Sequence, residues 1–172
     1  MILKIMGSTE HKKTVPSRLK VGILTISTTR TIADDTSGQW IKRQAEKERH
    51  TVVAQRVVTD NVNAIRETLC EVINNAGPQL VILTGGTGLA EKDVTIEAVR
   101  PLFKKELTAF GPVVAQLSFE QIDSAAIMSR ATAGIVGKSI VFCIPGSLEA
   151  CKLICGNLIF PEAGHLVKHL SE

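Results

Sequence analysis

Three glycines fall within four residues in Thr84-Gly85-Gly86-Thr87-Gly88, and two aspartates, Asp60 and Asp93, stand where predicted strands give way to helices. Glycine lets the backbone take positive φ and turn successive N–H groups toward one point, so the loop can cradle an anion, phosphate above all. No lysine follows the last glycine, as a Walker-type loop requires, and the Gly-x-Gly-x-x-Gly spacing is absent. The cradle is therefore of neither standard type. Two carboxylates beside bound phosphate can hold Mg2+, which is commonly bound by one or two carboxylates plus phosphate oxygens. Asp60 also has a plain reading as a helix N-cap, worth about 1 kcal/mol. A side chain added at Gly86 is expected to face the ligand, so Gly86→Ala should harm binding more than folding.

Other candidate groups carry less chemistry. Cys151 and Cys155 have the i, i+4 spacing of a metal pair but lie on an apolar stripe without further ligands. His165 and His169 share that spacing, and with no acid between them they read as a solvated last turn. His11 and His50 add nothing, and no Ser-His-Asp arrangement can be assembled.

The elements that must position these groups alternate strand and helix. Leu80-Val81-Ile82-Leu83 reads as a strand buried on both faces, as in the centre of a parallel sheet. Lys20–Ser27 and Thr51–Val58 are further strands. Asp35-Thr36-Ser37-Gly38 opens a helix with Trp40, Ile41, Gln44, Ala45 and Glu48 on one stripe, capped by Asp35 or Ser37. Val62, Ile65, Leu69, Val72 and Ile73 mark the next helix, which ends at Gly77-Pro78. A short helix capped by Asp93 or Thr95, with Glu97 in its first turn, runs to Arg100-Pro101. Another follows Gly111-Pro112, and Asp123 to Arg130 forms a third short one. Ala131–Lys138 and Ser139–Ile144 read as strands joined at Gly137-Lys138. Pro145-Gly146-Ser147 then leads into a helix burying Leu148, Cys151, Ile154, Cys155, Leu158 and Ile159. In an open parallel sheet the strand-to-helix junctions lie along one edge, where ligands bind.

At 172 residues the chain is long enough for one well-packed domain, placed at residues 18–172, preceded by an arm at residues 1–17. The net charge is 20 − 17 = +3, without a long basic run, and aromatics make up 3%, so nucleic acid is not an expected partner. No stretch is apolar enough to span a bilayer, and no signal peptide is evident. Four irregularly spaced cysteines in apolar segments read as reduced core thiols of a cytoplasmic protein. The apolar Ile2, Leu3, Ile5 and Met6 of the arm are expected to pack on a neighbouring subunit.

Taken together, these motifs resemble the MoaB/Mog family of molybdenum-cofactor biosynthesis proteins, and most closely its MoaB branch. The resemblance rests on Thr84-Gly85-Gly86-Thr87-Gly88 followed by Asp93-Val94-Thr95 with Glu97-Ala98. Asp35-x-Ser37-Gly38, Val58-x-Asp60, Leu117-Ser118-Phe119-Glu120, Ser129-Arg130 and Pro145-Gly146-Ser147 come in the same order, over about Leu19 to Phe160. It implies a three-layer α/β/α fold with a mostly parallel sheet, assembled as a homotrimer or a dimer of trimers. It also implies binding of molybdopterin, a pterin bearing a dithiolene and a terminal phosphate, and its adenylylation by Mg-ATP. Carried over by position, Asp60 and Asp93 would serve Mg2+ and catalysis, and Thr84 to Gly88 with Pro145, Gly146 and Ser147 would hold phosphate. Ser27, Asp35, Ser37, Gly38 and Ser129 would line the pterin or nucleotide pocket, with Ser147 beside them. Lys92 and Ile96 replace the Arg and Pro usual in the family, and Gln116 stands where many MoaB-type members carry arginine. Two alternatives stay open: a non-catalytic molybdopterin-binding oligomer, and a nucleotide-binding regulator outside the family that uses the same cradle.

Overall fold

The computed structural model describes residues 16–172, so the expected arm lies outside the described residues except for Pro16 and Ser17. Six strands make one sheet: β1 (Lys20–Ile26), β2 (Thr51–Val58), β3 (Leu80–Thr84), β4 (Lys105–Glu106), β5 (Thr132–Val136) and β6 (Ser139–Ile144). Their order is β2-β1-β3-β6-β5-β4. The first four in that order run parallel, and β5 and β4 extend the sheet antiparallel beyond β6. The β5–β6 hairpin turns at Gly137-Lys138, as expected.

Aliphatic periodicity explains the layers. All five residues of β3 are buried, with Leu80 and Ile82 facing one side and Val81 and Leu83 the other. The first side packs on Ile41 and Ala45 of α1 (Thr36–Lys47), Val114 of the later helix Phe110–Ile122, and the C-terminal helices. The second packs on Ile65, Leu69 and Val72 of α2 (Val62–Ala76) and on α3 (Thr95–Val99). Helices thus cover both faces of a mostly parallel sheet, giving a three-layer α/β/α sandwich. The helix Phe110–Ile122 is α4, and a 3₁₀ segment, Asp123–Met128, follows it. The last helical stretch is broken where a single helix was expected. α5 (Leu148–Ile154) passes through a π-turn at Cys155–Ile159 into α6 (Phe160–Ser171). Pro161 in the first turn of α6 has no N–H to donate to the preceding turn.

The cysteine expectation needs correction at one position. Cys143, Cys151 and Cys155 are buried, but Cys70 lies exposed on α2, and all four are free thiols. No helix among the described residues is long and apolar enough to cross a membrane.

Candidate functional site

A cleft of about 640 Å³ opens over the C-terminal ends of β1, β2, β3 and β6. Chain order reverses direction across the sheet between β1 and β3, and the loops that leave their C-terminal ends part there. A larger cavity, about 760 Å³, lies at the opposite edge beside Pro78, Gln79 and Ser139, and no carboxylate lines it. The glycine loop, Asp60 and Asp93 line the first.

The glycine loop forms the floor of this cleft. Gly85 and Gly86 have φ of +100° and +61°, in the left-handed region that glycine enters without a Cβ penalty. Thr95 pins the loop twice: its hydroxyl donates to the Gly85 carbonyl (2.8 Å) and its N–H to the Gly86 carbonyl (2.9 Å). Among the described residues, the N–H groups of Gly86, Thr87 and Gly88 have no hydrogen-bond partner, so they are available to an anion. The expectation for Gly86 is corrected by geometry. A Cβ there would overlap Thr95 Oγ1 and come within 3.4 Å of Asp60 Oδ1, so it would run into the loop's own support. α3 has only five residues and Val94 at its N-cap without a side-chain cap, so neither Asp93 nor Thr95 caps it. The free N–H groups of the loop, more than the dipole of so short a helix, are what an anion would meet.

Both carboxylates line the cleft, and neither is spent on a helix cap. Asn61 caps α2, its Oδ1 accepting from the N–H groups of Asn63 (3.0 Å) and Ala64 (3.1 Å). Asp60 instead accepts from Thr28 Oγ1 at 2.7 Å through Oδ2, and its Oδ1 accepts no hydrogen bond from the described residues. Asp93 Oδ2 accepts from the Ala90 N–H at 2.9 Å, and its Oδ1 is likewise unengaged. Each thus keeps one oxygen for a ligand. No group of three or more metal-ligating side chains occurs among the described residues, so any cation held here would need oxygens from the bound molecule. Arg30, Lys92 and Arg130 line the same cleft and oppose the two negative charges.

The remaining sequence candidates divide into two shells. Ser27, Ser129, Pro145, Gly146 and Ser147 face the cleft. Ser147 Oγ also caps α5, accepting from the Ala150 N–H at 3.2 Å. Thr84, Asp35, Ser37 and Gly38 stand behind it. Asp35 is fully buried as the N-cap of α1, accepting from Gly38 N–H (2.9 Å) and Thr25 Oγ1 (2.6 Å). Ser37 Oγ donates to the Gly146 carbonyl (2.9 Å), and Thr84 Oγ1 donates to the Pro145 carbonyl (3.0 Å). A Cβ on Gly146 would stand 2.9 Å from Gly85 Cα, so the two loops meet only because this residue lacks one. Burial pushes the Cys151 and Cys155 thiols up, which keeps them protonated packing groups without a thiolate to offer a metal.

Arg30, Arg130 and an apolar wall of Ile122, Ala125 and Met128 also line the cleft, and Thr28 holds Asp60, none of them with a role predicted from the sequence. Arg130 had a signal, its place in the Ser129-Arg130 pair. Its Nε donates to the Thr87 carbonyl (2.9 Å), and a terminal NH2 nitrogen reaches both Glu97 oxygens (2.8 and 3.0 Å). Gln116 is exposed on α4 and does not line the cleft.

The chain is similar to known proteins along most of its length. The family described as probable molybdopterin binding domain matches residues 22–165. The chain is 42% identical over 166 residues to molybdenum cofactor biosynthesis protein B of Bacillus subtilis (strain 168), covering 96% of this chain and 98% of the relative. Its identity to the protein of that name from Escherichia coli (strain K12) is 41% over 148 residues, or 86% of each chain. A crystal structure of a molybdenum cofactor biosynthesis protein B superposes with a TM-score of 0.88 at 36% identity, covering 91% of this chain and 98% of the other. The tungsten cofactor synthesizing protein MoaB from Pyrococcus furiosus superposes with a TM-score of 0.83 at 36% identity, covering 92% and 100%. With the matched domain spanning β1 to α6 and the glycine loop, Asp60 and Asp93 set around one cleft, the chain belongs to the MoaB family of molybdenum cofactor biosynthesis proteins.

Proposed function

We propose that the chain is a molybdopterin adenylyltransferase that uses Mg-ATP. The observation that carries this reading is the pair Asp60 and Asp93, each with one free carboxylate oxygen, in the same cleft as the unpaired N–H groups of the glycine loop. In the reaction, an oxygen of the molybdopterin terminal phosphate attacks the α-phosphorus of ATP. A P–O bond forms, the bond to the oxygen bridging to the β-phosphate breaks, and pyrophosphate leaves. The nucleophile is already an anion and needs no general base, so catalysis reduces to positioning and charge neutralisation. Mg2+, when bound with the nucleotide, supplies positive charge to the triphosphate oxygens. Asp60 and Asp93 would hold that ion, and the N–H groups of Gly86, Thr87 and Gly88 would fix a phosphate. Arg30, Lys92 and Arg130 would offset the charge that the two substrates bring. Ser27, Ser129 and Ser147 would then contact the pterin or the nucleotide.

Exposed apolar side chains at Phe119, Ile122, Ile127 and Met128 give the same reading a surface for a homotrimer or a dimer of trimers. Sedimentation that returned a monomer would remove that part. The functional test is incubation with molybdopterin, Mg2+ and labelled ATP, scored for adenylylated pterin and pyrophosphate. Wild type should turn over, and Asp60→Asn and Asp93→Asn should each fall by about 100-fold or more, about 2.7 kcal/mol of transition-state stabilisation. Pterin bound without turnover in wild type would make the chain a carrier. Asn variants as fast as wild type would leave the carboxylates without a catalytic role.

A further inference from the structure

Glu162, His165 and His169 on α6, and Glu172 at its C-cap, follow one another at spacings of three, four and three, along one side of the helix. On another face of this helix, Ala163 and Val167 are buried in the core. The two imidazoles face each other: their Nε2 atoms are 3.0 Å apart and their ring centroids 4.7 Å. The outer nitrogens each meet a carboxylate, His165 Nδ1 at 3.4 Å from Glu162 Oε2 and His169 Nδ1 at 3.1 Å from Glu172 Oε2. A carboxylate beside Nδ1 favours the tautomer with its proton on that atom, which leaves a lone pair on Nε2. Without a cation, one ring keeps its proton on Nε2 and donates to the other across 3.0 Å; a cation between them would instead take the lone pairs of both.

We propose that His165 and His169 form a binding site for a divalent transition-metal ion, oriented by Glu162 and Glu172. Nitrogens 3.0 Å apart, each about 2.05 Å from a metal, subtend an angle of about 94°. That is the cis angle of a square-planar or octahedral ion, which favours Ni2+ or Cu2+, whereas tetrahedral Zn2+ requires the rings to part by a few tenths of an ångström. The side chains are 42% and 61% exposed, so water can complete the coordination. Lys104 and Lys105 line the cavity that His169 and Glu172 also line. Their charge opposes a hard cation held by electrostatics alone and leaves imidazole coordination as the binding force. Absence of an acid between the histidines pointed to an idle pair in the sequence. The acids lie outside the pair, where they act on Nδ1. No residue is shared with the glycine-loop cleft, so this site stands or falls independently of the adenylylation reading.

The test is titration of the tag-free full chain with NiCl2 by calorimetry at neutral pH, with electron paramagnetic resonance of the Cu2+-loaded protein beside it. Expected are one ion per chain, copper hyperfine structure from two imidazole nitrogens, and at least roughly tenfold weaker binding in His165→Ala and in His169→Ala. Glu172→Gln should weaken binding by a similar factor through the ring it orients. Cys70→Ser, which removes the one exposed thiol of the four, should change nothing. Circular dichroism checks that these partly exposed substitutions leave the fold intact. The proposal is overturned if wild type takes up no ion below millimolar concentration. It is equally overturned if the His165→Ala/His169→Ala double variant binds as tightly as wild type.

Discussion

Replacing Gly86 by alanine probes how the glycine loop is held. At φ +61° an L-residue costs about 1–2 kcal/mol relative to glycine. The new Cβ would also overlap Thr95 Oγ1, the hydroxyl that donates to the Gly85 carbonyl at 2.8 Å within a fully buried threonine. Displacing that hydroxyl leaves a buried donor and acceptor unpaired, at about 1–3 kcal/mol. The sum is about 2–5 kcal/mol, and in a domain of this size it lowers the melting temperature by about 4–20 °C. Urea unfolding followed by circular dichroism at fixed chain concentration measures the loss directly. Thr95→Ala supplies the control, because it removes the atom that the methyl group strikes. If the overlap is the cause, the double variant should be more stable than the two single losses predict, by about 1 kcal/mol. A Gly86→Ala protein within about 0.5 kcal/mol of wild type would refute the reasoning, as would strict additivity with Thr95→Ala.

Three further outcomes follow from the same geometry. Asn61→Ala should cost about 1 kcal/mol by removing the α2 cap, while Asp60→Asn next to it should cost less than half of that, since Asp60 caps nothing; paired urea curves decide. Arg130→Lys keeps the charge but loses the fork that joins Thr87 to Glu97, so pterin and ATP affinities measured by calorimetry should fall several-fold. Because this ion pair is partly exposed, stability should change by less than about 1 kcal/mol. A thiol reagent at pH 8 should modify one cysteine of the native protein, Cys70, and all four after unfolding; rapid native modification of Cys143, Cys151 or Cys155 would contradict their burial.

The sequence was most legible where burial dictates pattern. A run of aliphatics exposed to neither solvent face has few homes but a central strand, and β3 occupies one between β1 and β6. β4 carried no such mark, for Lys105 and Glu106 are both exposed, and only pairing with β5 makes them a strand. The π-turn at Cys155–Ile159 was equally silent, since its apolar residues continue the stripe of α5. In the site, glycines and junction aspartates gave away the loops but not which way their side chains turn. Asp35, Ser37 and Thr84 have the residue types of ligand contacts, yet their oxygens are engaged within the protein, with backbone and, for Asp35, also with the Thr25 hydroxyl. Asp60 shows the reverse. A capping role was available to it, and its neighbour Asn61 took that role, which left its carboxylate at the cleft.

The residues behind the cleft explain why its shape can exist before any ligand arrives. Ser37 on α1 holds the Gly146 carbonyl, Thr84 on β3 holds that of Pro145, and Thr95 on α3 holds that of Gly85. Arg130, from the segment before β5, holds the carbonyl of Thr87. In each case a side chain from one element fixes the backbone of a loop belonging to another or to the preceding turn. Carbonyl oxygens are drawn to these donors, and the N–H groups of Gly86, Thr87 and Gly88 are left without protein partners. An anion entering the cleft would therefore meet donors already ordered, and its binding would forfeit little loop entropy. The same arrangement ties the glycine loop to Asp60: the Cβ position of Gly86 is 3.4 Å from Asp60 Oδ1, so loop and carboxylate are set within contact of each other. A reaction that depends on holding two phosphates and a cation in register needs that rigidity more than it needs an acid or a base.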